Sequence, residues 1–217
     1  MKVHHLSGNP SLLNQFLAEL RDVSIQKDSM RFRRNLERIG EIMAYEISKS
    51  LSFEEKSMMT PLAEKKSQLL SNQPVICSIL RAGMPLHQGF LNYFDGAENG
   101  FISAYRNHYN NDDDFEIVSE YTAVPSIQNK TLLLVDPMLA TGQSLVAIFR
   151  ALTLERIPSE VHIACVIAAP EGIAHLEQYL PENCHLWVAA IDEKLNEHHY
   201  IVPGLGDAGD LAYGNKL

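Results

Sequence analysis

The chain has 217 residues, of which 46% are hydrophobic and 21% charged, with a formal net charge of -9. This composition is ordinary for a soluble globular protein, excludes disorder over most of the length, and fits a single domain. The acidic balance argues against a nucleic-acid partner, which needs clustered Lys and Arg, but not against a small phosphorylated ligand met by a few Arg and oriented amides.

No apolar run approaches the roughly 18 residues of a membrane span, and "MKVHHLSGNP" lacks the apolar segment of a signal peptide, so a cytoplasmic protein with no membrane partner is expected. Cys77, Cys165 and Cys184 are odd in number, widely spaced and set in or beside apolar runs. They read as small buried residues in a reducing compartment, not as a disulfide set or zinc site.

Residues 1–73 read as a mainly helical N-terminal arm on an α/β core of residues 74–217 that ends in a Gly-rich tail. "PSLLNQFLAELRD" predicts a short helix that cannot bury its apolar face alone. "SMRFRRNLERIGEIMAYEISKSL" predicts a longer one. There Phe32, Leu36, Ile39, Met43, Ile47 and Leu51 form a stripe at spacings of three and four, and Ser29 is the expected N-cap. Arg31, Arg33, Arg34 and Arg38 lie mostly off the stripe and read as a solvated or subunit-facing side.

From Pro74 onward the pattern changes to short apolar runs alternating with helical stretches. The runs are "PVICSIL", "NGFISAYR", "FEIVSEYTAV", "TLLLVD", "EVHIACVIAA" and "CHLWVAAID"; the helices are "MPLHQGFLNYF", "GQSLVAIFRALTLER" and "PEGIAHLEQYL". Near-continuous apolar strands between helices indicate an α/β fold with a mostly parallel central sheet covered by helices on both faces. "FEIVSEYTAV" alternates and follows its neighbour without a helix, so an antiparallel pair at an edge or flap is expected. "NHYNNDDDFE" reads as an exposed loop and a solvated charge run.

In "TLLLVDPMLATGQSL" an apolar strand ends at Asp136, and Thr141, Gly142, Gln143 and Ser144 lead into an amphipathic helix. Ligands of open α/β sheets bind at the carboxyl ends of strands, and unpaired amides at a helix start attract phosphate. A plain strand, turn and helix has the same spacing, so spacing alone leaves both readings open. The glycines and Lys of a Walker loop and the spaced glycines of a dinucleotide fingerprint are absent.

"VDPMLATGQS" closely resembles the phosphoribosyl-pyrophosphate (PRPP) motif of the phosphoribosyltransferases. The Asp-Pro order is the form of the uracil phosphoribosyltransferases, where most of the superfamily has two adjacent acids. "SILRAGMPL" resembles the pyrophosphate loop of that family and "YIVPGLGDAGDLAYGN" its uracil-binding tail. The three motifs stand in the family's order and cover the chain from about Pro74 onward.

The resemblance implies a phosphoribosyltransferase-like fold and transfer of the phosphoribosyl group of PRPP to uracil, giving UMP and diphosphate in pyrimidine salvage. It implies Arg81 and Arg106 on the diphosphate, and Asp136 on the ribose hydroxyls. The stretch Asp136, Pro137, Met138, Leu139, Ala140, Thr141, Gly142, Gln143 and Ser144 holds PRPP, with residues 140–144 cradling the 5′-phosphate. Main-chain atoms of Ile201, Gly206 and Ala208 read uracil, while Asp207 turns toward the ribose and the metal-diphosphate region. Arg81, Arg106, Asp136 and Asp207 are the expected catalytic set. The Asp-rich loop after Arg106 becomes an expected lid, and a non-proline cis bond is expected near Arg81 and Ala82.

Mg2+ is the implied cofactor, held mainly by diphosphate and reached by Asp207 through water, with no direct protein ligand assigned. The partners are uracil and PRPP, a homodimer or larger homo-oligomer, and GTP as activator by likeness to some family members. Two departures stand out: Gln143 replaces a second Gly, and Leu211 replaces an Arg common in the family. His198 and His199 match nothing in it and read as packing or surface residues. The competing readings are a non-catalytic PRPP- or nucleotide-sensing regulator on the same fold, and a phosphoribosyltransferase for another base.

Overall fold

The computed structural model describes residues 1–108 and 115–216, without the side chains of residues 104–120. The three consecutive Asp expected on a lid lie outside the described residues. In chain order the elements are β1 (Lys2–His5), α1 (Leu12–Arg21), α2 (Ser29–Ser48), β2 (Phe53–Met59), β3 (Glu64–Leu70), β4 (Val75–Leu80), α3 (Gly83–Leu91), β5 (Glu98–His108) and β6 (Phe115–Ala123). There follow β7 (Thr131–Val135), β8 (Met138–Leu139), α4 (Gln143–Thr153), β9 (Glu160–Ala168), α5 (Pro170–Tyr179), β10 (Cys184–Ile191), β11 (Lys194–Leu195), β12 (Ile201–Val202) and α6 (Ala208–Tyr213).

The central sheet runs β1-β10-β9-β7-β4-β5-β6, with β8 added on β9. All its pairings are parallel except β5 with β6, the antiparallel edge expected from the alternation of "FEIVSEYTAV". Successive residues of a strand point to opposite faces, and here they feed two cores. Ile76, Leu133, Val135 and Ala164 pack with α1, α2 and α3, whereas Val75, Cys77, Leu132, Leu134 and Cys165 pack with α4 and α5. The continuous apolar runs are thus strands buried on both sides. All three Cys are free and buried.

The helical arm needs four corrections. Residues 2–5 form a strand that joins the main sheet beside β10, and residues 53–70 form an exposed antiparallel hairpin. Four residues are too few to show a period, and a hairpin exposed on both faces has no burial alternation to read. The N-cap of α2 is Asp28, not Ser29, because its carboxylate accepts from the amides of Met30 and Arg31. Arg33 is not free on the solvated side: its guanidinium donates to the carbonyl of Ala212, 2.6 Å away.

Candidate active site

Parallel strands β4 and β7 lie side by side, so both carboxyl ends open at one edge of the sheet. At the end of β7 the Asp136 amide donates to Ala164, continuing the ladder, and the carboxylate accepts from the Met138 amide at 3.3 Å. Pro137 fits between them because its missing N–H is not needed, while its carbonyl accepts from Val166 and Ile167, both at 3.0 Å. Burial pushes the Asp136 carboxyl up to about 7, against the opposing pull of the Met138 amide.

The turn into α4 takes its left-handed residue at Gly142, with φ of 78°. A Cβ there would sit 2.9 Å from the carbonyl oxygen of Gly172. Gln143 is not among the positive-φ residues and its side chain is exposed, 3.4 Å from the Thr141 hydroxyl. This answers the departure from a second Gly, because only position 142 demands one. No side chain caps α4, so the amides at its start face outward as an anion site requires.

Arg81 follows β4, and the Leu80–Arg81 peptide bond is cis, at the place expected. Its Nη2 donates to Asp210 at 3.0 Å and to the carbonyl of Gly214 at 3.1 Å. Asp207 caps α6: Oδ1 accepts from the Asp210 amide at 3.0 Å, and Oδ2 from Lys216 Nζ at 3.2 Å. Burial alone would raise the Asp207 pKa, but the Asp210 amide and Lys216 together hold it below the usual carboxylate range.

These groups share one cavity of about 810 Å³. It brings together Arg81, Asp136, Met138, Ser144, Gly206, Asp207 and Ala208 from the expected set. Ile201 is not on that wall; its side chain packs into the core shared with α1 to α3, and its backbone is in β12. Residues 137 and 139–143 are not on the wall either, although the turn they form sets the positions of Asp136 and Ser144. Arg106 lies in β5, and its side chain is outside the described residues.

Sequence reasoning missed Lys216, for which nothing in the sequence was a signal, and Asp210, whose signal was the repeated Gly-Asp of "GLGDAGD". His198 and His199 are exposed, as expected of surface residues, yet they stand on the cavity wall, His199 with φ of 60°. Leu211 supplies no positive charge at its place in α6, and Lys216 supplies one nearby.

A strand-end carboxylate, an uncapped helix start and an arginine at the adjacent strand end, on this sheet order, are the parts a phosphoribosyltransferase site needs. A purine phosphoribosyltransferase structure from Pyrococcus horikoshii shares the fold, with a TM-score of 0.50 at 14% identity over 73% of this chain and 84% of that one. Residues 8–215 match the uracil phosphoribosyltransferase family profile. A protein of Porphyromonas gingivalis named uracil phosphoribosyltransferase is 51% identical over 217 residues, all of both chains. The AQ2163 protein structure from Aquifex aeolicus superposes with a TM-score of 0.86 at 31% identity, covering 98% of each chain. The chain belongs to the uracil phosphoribosyltransferase family.

Proposed function

We propose that this cavity is where the chain joins uracil to the phosphoribosyl group of PRPP, giving UMP and diphosphate in pyrimidine salvage. One observation carries the assignment of the site: Arg81, Asp136, Ser144 and the Gly206–Ala208 backbone, far apart in sequence, share one cavity wall. A uracil nitrogen forms its bond to the anomeric carbon as the carbon–oxygen bond to diphosphate breaks, and the proton that nitrogen loses passes to water or to the departing diphosphate. Charge moves from the ribose toward the diphosphate, so catalysis consists of positioning and of holding that charge. Arg81 presents a planar donor fork to the diphosphate, which competes with Asp210 for it, and Arg106 is assigned to the same group. Asp136 as carboxylate accepts from the ribose hydroxyls, and the amides at the start of α4 take the 5′-phosphate.

Uracil presents acceptor, donor and acceptor along one edge, which main-chain groups of Gly206 and Ala208 on this wall can match without ionisable side chains; Ile201, off the wall, is assigned to the base by the resemblance alone. Cytosine puts a donor where uracil has its 4-oxygen and so meets an N–H with an N–H, a costly mismatch. Among the described residues no three His, Cys, Asp or Glu converge to cage a metal. The donor set fits Mg2+ that takes its ligands from diphosphate and water, with Asp207 as the carboxylate facing it through water. The chemistry such an ion would supply when bound is neutralisation of charge on the leaving diphosphate.

The hairpin of β2 and β3 supports a homodimer or larger assembly, since a solvated two-stranded hairpin is marginal by itself. No helix among the described residues is long and apolar enough to cross a membrane. A cytoplasmic site of action is supported by the three free, buried Cys. GTP activation rests on likeness to some family members alone and is tested by adding GTP to the assay.

That assay combines the protein, Mg2+ and PRPP with labelled uracil, cytosine, orotate or hypoxanthine. UMP from uracil, with little product from the others, is expected. Product from another base alone would assign a different phosphoribosyltransferase, and PRPP binding without any product would assign a regulator.

A further inference from the structure

The base-reading stretch is held from outside the cavity. Arg21, the last residue of α1, donates from Nη2 to Asp192 Oδ1 at 2.5 Å and from Nη1 to Asp192 Oδ2 at 2.9 Å. The same Nη1 reaches the carbonyl of Gly204 at 3.0 Å, and Asp192 Oδ2 accepts from the Gly204 amide at 2.9 Å. Both main-chain groups of Gly204 are therefore tied to one ion pair. Asp192 is itself fixed to the sheet, its amide donating to Ala168 at the end of β9 at 2.8 Å. One residue further on, the Leu205 carbonyl accepts from the side-chain amide of Gln26 at 3.1 Å, and Gln26 also donates to Leu20 at 2.7 Å.

None of Arg21, Gln26 and Asp192 is on the cavity wall. What they hold is the turn directly before Gly206. That turn has φ of 63° at Gly204 and 90° at Gly206, and a Cβ at Gly204 would lie 2.1 Å from the Ile201 carbonyl. A reader made of main-chain atoms has no side chain with which to adjust. Its hydrogen bonds to a base are only as well placed as the segment that carries them.

We propose that the end of α1 and the turn after it form the positioning element of the base site, with Arg21 as a positioning residue that sets uracil affinity and discrimination against cytosine through Asp192 and Gly204. The inference rests on the reading that the main chain of Gly206 and Ala208, with Ile201 before them, contacts the base. It gives the helical arm, which carries no motif, a part in specificity. Arg is required at position 21 because a planar fork serves two carboxylate oxygens and a carbonyl at once, which an ammonium cannot do in that geometry.

The test is steady-state kinetics on the full chain with Arg21→Lys, Asp192→Asn, their combination and Gln26→Ala, each checked for folding by thermal melting. Arg21→Lys and Asp192→Asn should raise the KM for uracil about tenfold and narrow the uracil-to-cytosine ratio, while kcat and the KM for PRPP stay within about threefold. The double variant should be little worse than either single one, since all act through one contact. Gln26→Ala, which removes the tie to Leu205 together with the one to Leu20 and leaves the ion pair in place, should move the uracil KM in the same direction by about threefold and stands in if the ion-pair variants do not fold.

A folded Arg21→Lys protein with a uracil KM within about twofold of the parent, or equal rises in both KM values, would overturn the inference. Gly206→Val runs alongside as a control on the tail. If it leaves the uracil KM unmoved, the base-reading assignment fails first. If it moves the KM and Arg21→Lys does not, the positioning role alone fails.

Discussion

The two ends of the central sheet carry cavities of similar size and different chemistry. At the carboxyl ends of β4 and β7 the cavity of about 810 Å³ holds Arg81, Asp136 and the Gly206–Ala208 backbone. At the amino ends of β4, β5, β7, β9 and β10 a cavity of about 700 Å³ is lined by Asn72, Gln73, Asn129, Lys130, Glu160 and His185, among others. There Lys130 is paired with Glu98. Beside this lower cavity His4 stacks on Trp187 with ring centres 3.8 Å apart, and the Trp187 indole donates to His162 at 3.0 Å. Burial is the main cause that brings His4 down to about 4 and also lowers His162, so the charged forms of these two rings are disfavoured and they serve packing.

Volume does not separate the two ends. Strand direction does, because at the carboxyl end the chain leaves β7 into a helix start without a side-chain cap, beside an acid whose pKa burial raises to about 7. Four substitutions or titrations would break or sharpen that contrast.

The largest effect is expected for Asp136→Asn. It keeps the shape and removes the charge, and kcat/KM for PRPP should fall by about 10² to 10³ while the melting temperature holds. A near-parent value would move the ribose elsewhere. Next is Gly142→Val, which forces a branched side chain into φ of 78° and against the Gly172 carbonyl. It should cost about 1–3 kcal/mol of stability in a denaturant titration and weaken PRPP binding together with it.

A titration comes third. With the Asp136 pKa raised to about 7, PRPP affinity should fall as pH drops below 7, by up to about tenfold per unit, and Asp136→Asn should abolish that dependence. The same raised pKa has the opposite sign for folding. Between its ordinary value and about 7 the folded state binds more protons than the unfolded one, so this group's contribution to stability declines as pH rises through that window. Smallest is Glu160→Gln in the lower cavity, where kcat/KM for both substrates should stay within about twofold. A larger loss would give the lower end a part in turnover.

How much of this was legible in the sequence depends on how local each feature is. Four core strands, β4, β7, β9 and β10, and the helices between them were visible because strands buried on both sides are continuously apolar. The turn proposed for phosphate could be picked out because its acid, glycine and hydroxyls fall within ten residues, while its ligand came from the family resemblance and not from that spacing. The order of strands in the sheet has no local signal, and β1 is too short to have one. Asp28 and Ser29 are adjacent residues that both suit a cap, and only the geometry chose the carboxylate. The ties from Arg21 to Asp192 and from Arg33 to Ala212 join residues more than 170 positions apart, so neither end announces the other. The position of Gln143 became intelligible only when the left-handed residue was seen to be Gly142.

The most direct test of the upper end as the site of UMP formation is a crystal structure of the protein grown with UMP. The account predicts the 5′-phosphate against the amides of residues 141–144, the ribose hydroxyls on Asp136, and the base edge on the main chain of Gly206 and Ala208. UMP in the cavity at the amino ends of the strands, with these groups untouched, would contradict it.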